Sequence, residues 1–115
     1  MDDKTPDVYL HHILDAIGRI QRYVTGVEKE AFLADDSMVA AAVVREFEII
    51  GEAMAQIADA YKKQYESVPW REIIDMRNRL IHGYFSVDYE IVWKSATEDL
   101  PILKQQIEDL LKGYA

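Results

Sequence analysis

An all-α fold, an antiparallel bundle of four main helices plus one short one, is what this sequence predicts. Apolar residues recur every three or four positions through four long stretches, no stretch sustains a period of two, and capping or breaking residues stand between them. Thr5-Pro6 supplies an N-cap and a first-turn proline. Leu10, Ile13, Leu14, Ile17, Ile20 and Val24 then mark a helix over 6–25 that stops near Gly26. Glu28-Lys-Glu-Ala-Phe-Leu33 fits a short helix, after which Asp35-Asp36-Ser37 offers the next cap. The second long helix carries Val39, Val43, Phe47, Ile50, Met54, Ile57 and Tyr61. Gly51 within it costs about 1 kcal/mol relative to alanine and signals a close approach by a neighbouring backbone. A third helix runs from Pro69 to about His82, with Gly83 as its stop. Asp88 caps a fourth, built on Ile91, Val92, Leu100, Leu103, Ile107 and Leu110, which Pro101 should kink or divide.

The chain has 115 residues, half of them apolar. That is enough for one domain, residues 1–115, whose core removes roughly 65% of the unfolded chain's surface from water. Without cysteine there is no disulfide framework and no thiolate zinc site. The first residues are acidic where a signal peptide would be basic, and no apolar run approaches the roughly 20 residues that span a bilayer. A cytoplasmic protein is expected. A net charge of −8 repels polyanions, so a nucleic-acid site has to be a local basic cluster in an acidic body.

Such a cluster exists between Trp70 and Phe85, where arginines, Asn78, His82 and aromatics gather at one helix end. Asn78 and His82, four residues apart, share a helix face and can share a ligand. Arg77 precedes His82 by five residues, which places it about 140° round the axis. Either its side chain curls back, or the helix is irregular there, or the histidine that completes its site belongs to another subunit. The spacing by itself is weak, because a histidine in a last helical turn also suits the helix dipole.

Arg77, Asn78, the three residues Arg79-Leu80-Ile81, then His82, Gly83 and Tyr84 reproduce the pattern Arg, polar, three residues, His, one residue, Tyr. With Glu48-Ile-Ile-Gly-Glu-Ala53, the segment from Val68 to Phe85 and Ile91–Pro101, the chain resembles the HepT-like branch of the HEPN superfamily over essentially its whole length. The resemblance implies a HEPN-type helical domain that forms a homodimer or higher oligomer. It further implies the toxin of a type VII-like toxin–antitoxin pair, a metal-independent endoribonuclease that needs no cofactor. In that reading His82 is the general acid or base and Arg77 the phosphate clamp, histidine being the side chain that changes charge nearest neutrality and arginine a fork that stays charged. Asn78 supports them, orienting the histidine or a phosphate oxygen. Tyr84 is implied as the acceptor of AMP groups from a nucleotidyltransferase antitoxin of the Mnt type. The alternative is a non-catalytic helical module that binds nucleotide or regulates a partner nucleotidyltransferase.

Other residues invite chemistry less strongly. Glu52 could reach the motif cleft to pair with Arg77 or tune His82, although a solvated glutamate fits its position as well. Arg45 could widen a phosphate-binding surface, but Arg45-Glu46 reads as easily as an exposed charged face. His11 and Asp15, four apart, are two ligands without a third and read as surface. Trp70 and Trp93 read as packing anchors.

Overall fold

Apolar periodicity in the sequence becomes a helical bundle without strands among the described residues. The structure, a computed structural model, describes residues 5–83 and 87–114. Its helices are α1 (Pro6–Val24), α2 (Lys29–Leu33), α3 (Met38–Gln56), α4 (Asp59–Gln64), α5 (Trp70–His82), α6 (Tyr89–Lys94) and α7 (Leu100–Leu111). Helices α1 and α3 form the central pair, with α5 laid on α3 and α7 on α1. Leu10, Ile13, Ile17 and Ile20 of α1 meet Val43, Phe47, Ile50 and Met54 of α3 and Leu100, Leu103 and Ile107 of α7 in one continuous core. By contrast, α5 buries only Trp70 and Leu80. Ile73, Ile74 and Met76 pack partly against the core, which leaves the polar face of α5, including Asn78 and His82, exposed.

The ends follow local chemistry. Ser37 accepts a hydrogen bond from the Ala40 amide at 3.1 Å, and the Asp88 carboxylate accepts from the Glu90 and Ile91 amides, so both caps sit where the sequence puts them. Thr5 instead turns its hydroxyl to the Asp7 carboxylate and makes no side-chain cap bond. Gly26, at φ 75°, takes the left-handed conformation that ends the α1 connection. Asp36 takes the same region at φ 59°, a role that its short polar side chain tolerates.

Two elements depart from the periodicity. The second long helix does not reach Tyr61: α3 ends at Gln56, Ile57 turns extended and α4 begins at Asp59. The Met54 carbonyl, which a continuous helix would have used internally, accepts instead from the Ile57 amide at 3.2 Å and from Lys62 of α4 at 3.1 Å. The last helix divides before Pro101, through a π turn over Ser95–Asp99 in which the Leu100 amide donates to the Ser95 carbonyl. Proline has no N–H and crowds the carbonyl four residues back, and the wider turn relieves that crowding. The tryptophans are anchors as expected. Trp70 donates to the Tyr65 carbonyl at 3.0 Å, and Trp93 packs on Phe32 with ring centroids 5.0 Å apart.

Arg45 is exposed and pairs with Glu48 at 3.2 Å, but Glu46 leaves the charged face that the sequence suggested for it. It is buried and accepts from Arg19 at 2.8 Å, joining α3 to α1. This bond, more than the nearby charge, holds the Arg19 guanidinium protonated beyond its ordinary range.

At Gly51 the approach of α5 to α3 leaves no room for a side chain. A Cβ there would lie 2.3 Å from Arg77 Cβ and 2.7 Å from its Cγ. Both are stem atoms that cannot swing away. Gly51→Ala is therefore expected to lose about 1–2 kcal/mol by overpacking, against the usual helix-propensity gain. Urea unfolding compared with Ala55→Gly on the same helix checks this; a stabilised Gly51→Ala protein would refute the close approach.

Candidate active site

The last two turns of α5 carry Arg77, Asn78 and His82, and the helix stays regular through His82. Gly83 caps it at φ −126°, a conformation open to any residue, and its amide donates to the Arg79 carbonyl at 2.8 Å. Tyr84 lies outside the described residues.

Regular geometry keeps the 140° separation of Arg77 and His82, and the two residues accordingly face different hollows. Arg77 is half-buried, its stem pressed on Gly51, and it lines a groove of about 550 Å³ between α1, α3 and α5. The groove's other walls are Tyr9, His12, Asp15 and Arg19 from α1, and Ile49, Glu52, Ala53 and Gln56 from α3. His82 and Asn78, both exposed, line a second hollow of about 630 Å³ with Met76, Arg79, Leu80 and Ile91. Arg77 Nη1 donates to Asn78 Oδ1 at 2.7 Å, which turns one end of the guanidinium toward its sequence neighbour but does not bring it into the hollow that His82 lines. Asn78 is thus a direct partner of the arginine. Arg77 Nε is buried, and among the described residues no group accepts from it.

Glu52 stands in the groove with Arg77, as its place on α3 allowed. Arg45 and His11 do not line it. The histidine that shares the groove with Asp15 is His12, three residues before it, and its ring meets Tyr9 edge-on at 6.3 Å. Tyr9, His12, Asp15 and Arg19 recur at steps of three and four, a polar stripe on α1 that was legible as helical spacing. The partner that gives the stripe meaning, Arg77, is distant in sequence. Among the described residues no three His, Asp or Glu side chains gather as metal ligands would, and no helix is long and apolar enough to cross a membrane.

A family model for ribonuclease HepT-like proteins matches residues 13–110, a span that contains Arg77, Asn78, His82 and the α3 wall. The chain belongs to the HepT-like family. A protein of Thermococcus cleftensis named as a probable ribonuclease HepT is 42% identical over 104 residues, covering 90% of this chain and 94% of that protein. A relative from Caldanaerobacter subterraneus, named provisionally as an RNase, is 38% identical over 109 residues, covering 95% of this chain and 96% of its own. Another so named, from Methanocaldococcus jannaschii, is 33% identical over 108 residues, covering 94% of this chain and 98% of its own. No solved structure matches significantly. For a HepT-like chain the all-helical bundle is the expected HEPN architecture.

The buried Arg77 Nε–H, without an acceptor among the described residues, makes a stability prediction. A buried donor without an acceptor costs about 1 kcal/mol or more, while the stem above it contributes packing. Arg77→Met keeps the stem, removes the unmet donor and gives up only the solvent-exposed bond to Asn78, so it should be more stable than the parent by up to about 1 kcal/mol. His82→Ala, at an exposed helix end, should stay within about 0.5 kcal/mol of the parent. Urea midpoints with unchanged slopes test both, and a clearly destabilised Arg77→Met would mean that the guanidinium is fully satisfied.

Proposed function

We propose that this HepT-like protein is an endoribonuclease acting as the toxin of a toxin–antitoxin pair, with Arg77 and His82 as its catalytic residues and Asn78 in support. The observation that carries the reading is the Arg77–Asn78–His82 set on the last two turns of α5, with Asn78 and His82 exposed, in a chain whose relatives are named as ribonucleases. Cleavage proceeds without a metal ion. The 2′-oxygen attacks phosphorus, its proton passes to an imidazole, the P–O5′ bond breaks and the departing O5′ takes a proton from a second acid. The products are a 2′,3′-cyclic phosphate and a free 5′-hydroxyl.

A protomer has one motif histidine, and its Arg77 faces away from it. Two protomers meeting near the α5 ends supply two histidines and two arginines around one cleft, the arginines stabilising the charge that builds on the phosphoryl oxygens. Ile81 and Ile91, exposed apolar residues flanking His82, suit such a meeting. The dimer also offsets the acidic body with a local pair of cations at the point of RNA contact.

Cleavage is expected to persist in excess chelator and to leave a 2′,3′-cyclic phosphate or its hydrolysis product. A 2′-deoxy sugar at the cut should block it, and His82→Ala or Arg77→Ala should lower the rate at least about a hundredfold while the protein stays helical. End-group analysis of cut RNA and circular dichroism provide the measurements. Activity that disappears with chelator and returns with a divalent ion would overturn the metal-free mechanism, and full activity in His82→Ala would remove His82 from it. Growth arrest on expression of the chain alone separates this reading from a non-catalytic module that only regulates a partner nucleotidyltransferase.

The toxin is silenced by a nucleotidyltransferase antitoxin of the Mnt type, which transfers AMP from ATP to the Tyr84 hydroxyl and releases pyrophosphate. The support is the position of Tyr84, two residues beyond His82. An added phosphodiester about 6 Å from a substrate phosphate opposes it by about 3 kcal/mol at an effective dielectric near 20, before salt screening, and the adenosine adds bulk. Coexpression with the antitoxin should add whole AMP units to the peptide containing Tyr84, read by mass spectrometry. Tyr84→Phe should remain toxic beside the antitoxin; complete neutralisation of an active Tyr84→Phe would assign silencing to simple occlusion.

A further inference from the structure

The groove beside Arg77 holds chemistry that a phosphate clamp does not need. Its α5 wall carries Arg77, while its α1 and α3 walls carry Asp15 and Glu52, both exposed, and neither accepts a hydrogen bond from a described residue. Arg19, the other cation lining it, is held by Glu46. A phosphate is therefore favoured only at the Arg77 end and is repelled from the opposite walls. Those walls combine two carboxylate acceptors with the edge-on ring pair of Tyr9 and His12, and Gln56 can donate or accept. At about 550 Å³, the groove falls within the size range of small-molecule pockets, yet it is open as a polymer would require.

Resting on the ribonuclease reading, we infer that this groove is a base-binding subsite, which takes the nucleobase next to the phosphate held by Arg77 and selects bases that carry an exocyclic amino group. The base stacks against the Tyr9–His12 wall, since every base offers a π face to an aromatic side chain. Asp15 and Glu52 accept from the exocyclic amino group of cytosine, adenine or guanine, as carboxylates do from cytosine N4. Uracil presents carbonyl oxygens in place of that amino group, and these oppose a carboxylate. The subsite so gives sequence preference to a site whose Arg77 and His82 contact only the backbone, which every RNA shares.

The test is fluorescence anisotropy with labelled 2′-O-methyl oligonucleotides of adenine, cytosine or uracil, which the chemistry above cannot cut. The parent should bind the adenine and cytosine chains at least about fivefold more tightly than the uracil chain. The double variant Asp15→Asn, Glu52→Gln should bring that ratio close to one, and His12→Ala should weaken all three about tenfold through lost stacking. Glu98→Gln, an exposed carboxylate outside the groove, should leave the ratio as it is. These substitutions are on exposed side chains, and circular dichroism confirms the helices. Equal affinity for all three chains, or a preference that survives the double substitution, overturns the subsite. Because the oligonucleotides are uncleavable, a retained base preference with no cutting of ordinary RNA would sink the ribonuclease reading alone, and cutting without base preference would sink the subsite alone.

Discussion

The contact between Gly51 and Arg77 sets the distance between α3 and α5, and the arrangement of the candidate site depends on that distance. With hydrogen in place of a side chain at Gly51, the arginine stem lies flat on α3 and its guanidinium emerges at the rim of the groove shared with α1. Any Cβ there would move α5 outward and carry Asn78 and His82 with it. Trp70 and Leu80, with Ile73, Ile74 and Met76 partly buried beside them, hold α5 against the core on either side of that contact. A weak helix-forming residue in α3 therefore serves the placement of a residue 26 positions later in the chain.

Function in this fold is concentrated on a helix that buries far fewer side chains than α1 or α3. The α1–α3–α7 packing buries most of the apolar side chains, and the Arg19–Glu46 bond ties α1 to α3 beneath one end of the groove. On that base α5 can present polar groups, including a buried Nε–H with no acceptor among the described residues, without endangering the bundle. Such an unmet donor is tolerable where the remaining structure holds it in place.

Much of this was readable in the residues. The helical character of the long stretches, the Ser37 and Asp88 caps, the stop at Gly26 and the anchoring tryptophans follow from spacing and side-chain chemistry within a few residues of each feature. The break between α3 and α4 was not readable, because Ile57 and Tyr61 continue the apolar spacing while Lys62 supplies an acceptor's partner only after the chain has turned. The burial of Glu46 escaped for a similar reason: its partner Arg19 lies on another helix.

The sequence by itself determined the all-helical class, the family and the membership of the motif, since periodicity, caps and the Arg77–His82 spacing are properties of nearby residues. Helical spacing already set Arg77 and His82 on different sides of α5, but tertiary structure decided which hollow each lines and that His12, rather than His11, shares one with Asp15. It also decided that Glu52 and Tyr9 join them. The physical reason is that a groove is made where helices cross, and the crossing is set by which side chains can be omitted or buried at the contact, a property shared between residues far apart in the chain.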